Sequence, residues 1–241
     1  MDVNQQIEFL KFDSELFKLP IASHQITKET NYDLISNEIR NSKIELLYLF
    51  SEKQQDIKEI ESNIELSVTY ADEKVIFEKC LEGRTKVTSS DKISLNQWNK
   101  SDLTKLESLA IASGEYSRFK LDQNLSNDEN EKLYYKWLHK SLSFELADNI
   151  YIYDKEKIAG LLTVKFDVDK AVVGLLSVDE VYRGQGIAGK LLTALENDCI
   201  SRGIKIISIP TQRINQNACK FYLKQGYSEI HSSHIYHCWN R

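Results

Sequence analysis

Three glycines stand close together in the segment Tyr182–Gly189, at positions 184, 186 and 189. Glycine allows unusual φ values and lets a bulky anion approach the main chain. An apolar run ends just before the segment, at Val178, and apolar residues recur every three or four positions from Ile187 onward. This arrangement predicts a loop that connects a strand to a helix N-terminus, where N–H groups without helical partners and the helix dipole favour a bound diphosphate.

Two spaced motifs favour such a binding site over a turn that merely begins a helix. The segment lacks the Gly-Lys-Ser/Thr ending of a nucleotide P-loop. It reads instead Arg183-x-x-Gly186-x-Ala188, which resembles the acyl-CoA motif Q/R-x-x-G-x-G/A of the GNAT superfamily. Downstream, the residues from Asn215 through Tyr222 to Tyr227 resemble that superfamily's second motif, N-x-x-A-x-x-x-Y-x-x-x-G-F/Y. Both motifs occur in the expected order and at the expected separation.

The resemblance also implies a fold. GNAT proteins have an α/β (α+β) fold, in which helices flank a central mixed, mostly antiparallel sheet. Strand-like and helix-like runs alternate along this chain, in agreement with that class. The stretch from about residue 84 to 95 lacks apolar periodicity. We therefore expect a small α/β N-terminal domain over residues 1–90 and a GNAT acyl-CoA-dependent transferase domain over residues 91–241.

The resemblance implies how acyl-CoA is held. In GNAT enzymes the CoA diphosphate lies on the loop amides. The residues that correspond to those positions here are Arg183, Gln185, Gly186, Ile187, Ala188 and Gly189. The pantetheine arm would run beside the preceding strand and pair with the main chain of Leu176 and Val178. Asn215 would hydrogen-bond the pantetheine from the other side.

Acyl transfer to an amine also requires a group that stabilises the departing thiolate. Tyr222 matches the position of the GNAT general acid, and a phenol is protonated at neutral pH. Without that match, a core tyrosine would be the simpler interpretation. The thioester carbonyl would be polarised by N–H donors near Leu176. The general base is not identifiable from the sequence, although Glu115 and Asp179 are candidates.

A second resemblance concerns the acceptor. Phe12–Phe17, which reads FDSELF, is similar to the W/F-D-S-x-F-F opening of nucleotide-sugar N-acyltransferases of the dTDP-fucosamine acetyltransferase type. Leu16 replaces an aromatic residue of that pattern. The segment around Tyr116, Arg118 and Phe119 also resembles that group. The resemblance implies a nucleotide-linked, dTDP-type amino sugar as substrate and an acetyl or short hydroxyacyl chain as the transferred group.

The same three residues suit such an acceptor chemically. Arg118 can bind a diphosphate in a bidentate manner, and Tyr116 and Phe119 can stack on a base or sugar. The competing interpretation is that the aromatics belong to the core and that Arg118 forms a surface ion pair. A GNAT enzyme that acts on a peptide N-terminus, a lysine or a polyamine is the alternative function, and a non-enzymatic GNAT-like binding module is a third.

Composition limits the remaining partners. The 241 residues carry a net charge of −5, so the chain has no general attraction for nucleic acid or anionic lipid. No apolar run approaches the roughly 20 residues of a membrane-spanning helix. The cysteines form no CxxC pair, and His231, His234 and His237 are spaced so that they do not share one strand face. We therefore expect a cytoplasmic enzyme with no metal site. Exposed sheet edges often pair in this superfamily, so a homodimer is one expected assembly.

Hydrophobic periodicity predicts the individual elements. The predicted helices cover residues 30–42, 53–62, 101–110, 129–144, 187–203 and 215–225. The predicted strands cover residues 44–50, 64–70, 74–77, 149–154, 157–166, 170–178, 204–210 and 227–239. Short polar turns are predicted between 70 and 74 and at Lys155 and Glu156.

Overall fold

The structure is a computed structural model of the 241-residue chain, and it describes residues 7–88, 93–155 and 157–240. The strands are β1 (Glu8–Phe9), β2 (Ile21–Gln25), β3 (Leu46–Ser51), β4 (Ser67–Cys80), β5 (Ile93–Leu95), β6 (Asn149–Asp154), β7 (Ile158–Phe166), β8 (Lys170–Val178), β9 (Ile206–Gln212) and β10 (Ser228–Trp239). The helices are α1 (Lys11–Phe17), α2 (Tyr32–Ser42), α3 (Ile57–Ile64), α4 (Leu103–Ser113), α5 (Arg118–Leu121), α6 (Asn127–Leu142), α7 (Ile187–Arg202) and α8 (Gln216–Lys224). Short 3-10 turns cover Lys100–Asp102 and Glu180–Tyr182.

Two compact units divide the chain. Unit 1 comprises Met1–Val75, Gln212–Ile214 and Ser232–Arg241, and unit 2 comprises Ile76–Thr211 and Asn215–His231. Strands β4 and β10 each contribute residues to both units. The expected domain boundary at residue 90 stays a prediction.

Unit 1 has the strand order β1–β2–β3–β10–β4. β2 runs parallel to β3, and β3 runs antiparallel to β10. Helix α2 begins where the Asn31 side chain accepts the Leu34 N–H, and α3 begins where Asp56 accepts the Lys58 N–H. Both helices contribute to one apolar cluster together with the strands. Its members include Ala22, Ile35, Ile39, Leu47, Leu49, Ile60, Ile64, Val68 and Tyr236.

Unit 2 contains the segments that carry both sequence motifs. Its strand order is β4–β9–β8–β7–β6–β5. β5, β6, β7 and β8 pair antiparallel in succession, whereas β8 and β9 run parallel. A parallel pair needs a crossover connection, and α7 supplies it. The predicted α/β class with a mixed, mostly antiparallel sheet is confirmed.

Helices cover both faces of the unit 2 sheet. A Cβ atom built on Gly160 of β7 would lie 2.9 Å from Ile187 Cγ2 of α7. A Cβ atom built on Gly174 of β8 would point toward α6 instead, 3.6 Å from Trp137 Nε1. Helix α4 packs against α6 and contacts β7 and β8. The sheet that carries the motifs therefore lies between α7 on one face and the α4–α6 pair on the other.

One predicted turn is absent from the described residues. The sequence predicts two short strands separated by a turn between residues 70 and 74, but β4 continues without interruption from Ser67 to Cys80. Glu73 explains the difference, because its carboxylate accepts a hydrogen bond from Arg213 Nη2 at 3.0 Å and its carbonyl accepts the Arg213 N–H at 2.8 Å. A charged residue with a paired partner fits in a strand that its type alone disfavours. The predicted turn at Lys155 and Glu156 is only partly testable, because Glu156 lies outside the described residues.

A buried ion pair fixes the C-terminal part of β4 to α7 within unit 2. Lys79 Nζ lies 2.7 Å from Glu196 Oε1, and the two side chains are 10% and 17% exposed. Glu196 also accepts a hydrogen bond from the Tyr227 hydroxyl, and Lys79 donates to the Gln225 carbonyl. Removal of one partner leaves the other charge buried and unpaired, which is costly.

We predict that Glu196→Gln lowers the free energy of unfolding of unit 2 by about 3 kcal/mol, the cost of a buried charge that loses its partner. The matched control is Glu82→Gln, because Glu82 pairs with Lys205 at 3.5 Å while both side chains stay more than half exposed. That control should cost less than about 1 kcal/mol. Urea unfolding followed by circular dichroism measures both. Equal losses would contradict the structural role of the buried pair.

Candidate functional site

The glycine loop has the conformation that its sequence predicts. Asp179 follows β8 and accepts the Val181 N–H, which begins the 3-10 turn. Gly184 and Gly186 then adopt φ values of +75° and +77°. A Cβ atom on either glycine would have no neighbour within 4 Å. Glycine is therefore required at these positions for backbone conformation, since space is available for a side chain.

Helix α7 begins at this loop with its first amides uncapped. Gly186 is the N-cap residue and supplies no side chain, so no side-chain cap is present. The first helical hydrogen bond runs from the Lys190 N–H to the Gly186 carbonyl at 3.1 Å. The N–H groups of Ile187, Ala188 and Gly189 precede that bond and have no acceptor in the described part of the chain. The Ile187 side chain is buried, which anchors the turn. Such a turn can accept an anion.

Side chains from the β6–β7 connection and α4 hold the loop. Lys155 Nζ lies 2.9 Å from Gln185 Oε1, and Lys105 forms an ion pair with Asp179. Sequence reasoning missed both lysines, because they lie 30 or more positions from their partners and no local spacing indicates the contact.

The C-terminal part of β8 directs some of its main-chain groups away from β7. The Asp179 N–H donates to the Ala159 carbonyl at 2.9 Å, so residue 179 faces β7. Successive residues of a strand direct their N–H and C=O groups to alternate sides. Leu176 and Val178 therefore direct theirs to the opposite side, toward the β9 position in the strand order.

β9 does not use those groups. The parallel pairing of β8 with β9 covers only the three pairs from Lys170–Ile206 to Val172–Ser208. Beyond Val172 the two strands no longer pair, and the Leu176 edge lines the resulting gap. Arg183 Nε donates to the Val178 carbonyl at 3.3 Å. An extended ligand with amide groups can add to such an edge as a strand would.

The second motif begins α8. The Asn215 side-chain carbonyl accepts the Ala218 N–H at 3.1 Å and caps the helix, which leaves its amide N–H₂ as the group that can donate to a ligand. One face of α8 carries Tyr222, whose side chain is only 6% exposed.

Tyr222 sits in an aromatic cluster of unit 2. Its ring centroid lies 5.6 Å from that of Phe77, 5.4 Å from that of Phe221 and 6.3 Å from that of Tyr227. Burial of the phenol, reinforced by the nearby Cys219 thiol, raises the pKa of Tyr222. A raised pKa keeps the hydroxyl protonated throughout the physiological range, so that it carries a proton it can donate.

The predicted acceptor residues lie between α4 and α6. Ser117 caps the short helix α5, where its hydroxyl accepts the Lys120 N–H and donates to Asn130 Oδ1. The Arg118 guanidinium carbon lies 4.5 Å from the Phe119 ring centroid, and Tyr116 is 37% exposed. Their proposed contact with substrate stays a prediction.

A cavity of about 1120 Å³ lies elsewhere in unit 2. Trp98, Lys105, Phe144, Asp154 and Lys157 are among its lining residues, and the predicted acceptor residues are not. Many of its polar groups already serve the local fold. Asp102, for example, accepts the Asn99 N–H in a capping box.

Both candidate general bases are already paired. Glu115 Oε2 lies 2.5 Å from Lys120 Nζ, and Asp179 pairs with Lys105 and caps the 3-10 turn. Each carboxylate thus already has a cationic partner. The geometry thus favours neither as the base.

The loop also has the Gly184-x-Gly186-x-x-Gly189 order of dinucleotide sites. Three features distinguish it from a Rossmann unit. β8 pairs antiparallel with β7, and it separates from β9 beyond Val172. β9 ends at Gln212, where a dinucleotide site would have an acidic residue to bind the ribose.

Comparison with known proteins agrees with this geometry. Residues 106–227 match the model of the Acetyltransferase (GNAT) family. This match covers half of the chain, and the chain belongs to that family.

Three individual proteins are also similar to this chain. The chain is 27% identical over 131 residues to the spore coat polysaccharide biosynthesis protein SpsD of Bacillus subtilis, a match that covers 54% of this chain and 45% of that protein. It is 32% identical over 82 residues to the ribosomal protein bS18 alanine N-acetyltransferase of Haemophilus ducreyi, covering 34% of this chain and 57% of that one. The chain thus spans about half the length of these curated relatives. A functionally unknown conserved protein of Staphylococcus epidermidis shares its fold with a TM-score of 0.66 at 12% identity, over 95% of this chain and 89% of that one.

No helix within residues 7–88, 93–155 and 157–240 is long and apolar enough to cross a membrane. The same residues contain no group of three or more His, Cys, Asp or Glu side chains that could hold a metal ion.

We predict that Gly186→Ala weakens CoA binding by about fivefold to thirtyfold, because a left-handed conformation costs a residue with a Cβ atom about 1–2 kcal/mol. Isothermal titration calorimetry with CoA measures the change. The matched control is Gly203→Ala, since Gly203 ends the same helix at φ +74° with equally open space around it. The control should lose similar stability and keep CoA affinity. Equal weakening in both variants would indicate a general effect on α7.

Proposed function

We propose that this protein transfers an acyl group from acyl-CoA to the amine of a nucleotide-linked amino sugar. The uncapped amino end of α7, next to the main-chain edge of β8, is the observation that supports the acyl-CoA half of the proposal. The amides of Gln185 through Gly189 would bind the diphosphate. Leu176 and Val178 would pair with the pantetheine, and the Asn215 amide would donate to it.

The proposed chemistry needs few protein groups. The neutral amine attacks the thioester carbonyl carbon, and the C–S bond breaks as the C–N bond forms. The Leu176 N–H faces the gap beside β8 and would stabilise the carbonyl oxygen as it gains negative charge. Tyr222 would give its phenolic proton to the departing sulfur, the amine would release one proton to solvent, and the resulting phenolate would take a proton back from solvent. Acyl transfer and the proton balance are then complete.

Relatives and local chemistry support the acceptor proposal. The spore coat protein is named for polysaccharide biosynthesis, and a dTDP-linked amino sugar for a bacterial surface polysaccharide is an acceptor of that kind. Arg118 would meet the sugar-nucleotide diphosphate, while Tyr116 and Phe119 would contact its base or sugar. We propose an acetyl or short hydroxyacyl chain as the transferred group.

One observation favours a second candidate function. The Haemophilus relative is named as an N-acetyltransferase of a protein alanine, and its identity to this chain is 32% over a shorter match. Transfer to a peptide N-terminus, with lysine or a polyamine as variants, is therefore the alternative. The predicted acceptor segment distinguishes the two, because a peptide carries no diphosphate for Arg118.

We predict that Tyr222→Phe lowers kcat by about 10²-fold or more, because it removes the proton donor, and leaves the KM for acyl-CoA nearly unchanged. Tyr227→Phe is the matched control, since that neighbouring phenol already donates to Glu196. The control should keep kcat. Because the Tyr222 pKa is raised, wild-type kcat should show no loss from phenol ionisation up to about pH 10, the ordinary tyrosine value. Near-normal turnover of Tyr222→Phe would exclude the acid role.

Thiol release from acetyl-CoA should occur with a dTDP-amino sugar within a panel that also holds UDP-amino sugars, polyamines and peptides. Arg118→Gln should then raise the acceptor KM by about tenfold, the effect of one lost charge-assisted contact. Lys132→Gln serves as a control, because Lys132 is exposed on α6. Release with peptides or polyamines alone would exclude the sugar proposal and keep the acyl-CoA site.

A further inference from the structure

The side to which odd-numbered residues of β8 direct their main-chain N–H and C=O groups changes along the strand. Near its start, the Asp169 carbonyl accepts the Ile206 N–H on the β9 side, and the Lys170 carbonyl accepts the Asp167 N–H on the β7 side. Odd-numbered residues therefore face β9 at this end of the strand. Near Asp179 the odd-numbered residue faces β7 instead. Regular alternation along one strand does not allow this reversal.

A bulge produces the reversal. Leu162 pairs with Leu176, but Val164 pairs with Val173. One residue of β7, at position 163, thus lies opposite two residues of β8, at positions 174 and 175. A bulge directs both of its residues to the same side and shifts the alternation beyond it. Without this extra residue, Leu176 and Val178 would direct their main-chain groups to β7, away from the gap.

One main-chain N–H of the bulge donates its hydrogen bond to a side chain. Thr163 Oγ1 accepts the Leu175 N–H at 2.9 Å. Thr163 is 1% exposed and Leu175 is 2% exposed, so water cannot replace this bond. A Cβ atom on Gly174 would lie 2.9 Å from the same Oγ1. Glycine at 174 and a hydroxyl at 163 therefore act together to close the bulge.

We infer that Thr163 is a positioning residue for acyl transfer, whose hydroxyl holds the Gly174–Leu175 bulge and thereby directs the Leu176 N–H at the thioester. This inference rests on the proposed function, since it assigns a support to the same site. Thr163 would act without contacting the substrate, by setting the side to which β8 directs the Leu176 N–H. A displacement of about 1 Å in a group that aligns reactants can cost on the order of 10²-fold in rate.

The test compares Thr163→Val, which keeps the shape and removes the hydroxyl, with Thr163→Ser, which keeps the hydroxyl. We expect Thr163→Val to lower kcat in the thiol-release assay by about tenfold to a hundredfold, within the range for misaligned groups. The affinity for CoA should fall less than kcat, because the α7 amides that would bind the diphosphate are untouched, although the pairing of Leu176 and Val178 with the pantetheine is weakened. Thr163→Ser should keep kcat within about threefold of the wild-type value, because it retains the positioning hydrogen bond. Thr69→Val is a control for the same chemical change in a strand of unit 1.

Amide hydrogen exchange of the wild-type chain provides a second readout that needs neither turnover nor a folded variant. The Leu175 amide should exchange slowly, and rapid exchange there would overturn the inference. Unchanged kcat in Thr163→Val, or equal losses in the Val and Ser variants, would overturn it as well. If the wild type releases no thiol with any acceptor, the proposed function fails. The exchange of the Leu175 amide then still decides whether the hydroxyl holds the bulge.

Discussion

The separation of β8 from β9 beyond Val172 is the constraint on which the candidate site depends. Two parallel strands that kept pairing would satisfy each other's main-chain groups and leave nothing for a ligand. Because pairing stops there, the edge near Leu176 keeps its N–H and C=O groups for another partner. The same strand then enters the glycine loop, so the edge and the uncapped start of α7 adjoin. A ligand that carries both amides and a diphosphate matches this combination.

The remaining elements of unit 2 support that edge. Helix α7 covers one face of the sheet with Ile187 and Leu191, whose contacts at Gly160 fix the helix close to β7. Lys155 and Lys105 tie the loop to neighbouring segments through Gln185 and Asp179. The buried pair of Lys79 with Glu196 joins β4 to the same helix. These polar contacts thus hold the glycine loop and α7 in place.

The proposed proton donor and the proposed binding amides have opposite physical requirements. The binding amides need exposure, and the loop from Arg183 to Gly186 is exposed accordingly. The phenol of Tyr222 instead lies among aromatic rings, where burial raises its pKa and keeps its proton. Burial and the Glu196 carboxylate likewise raise the pKa of Tyr227. A site of this kind separates anion binding from proton donation by placing them on different helices.

The sequence by itself determined the class and the local geometry. Glycine spacing, the helical repeat from Ile187 and the Asn215 motif are local patterns, because helix starts and positive φ values depend on adjacent residues. It could not determine the continuity of β4, since Arg213 stabilises Glu73 from 140 residues away. Nor could it predict the bulge at Gly174, because the direction of Leu176 depends on the register with β7 and on the Thr163 hydroxyl. Strand register and long-range ion pairs are properties of the packed chain, and only the tertiary structure decided them.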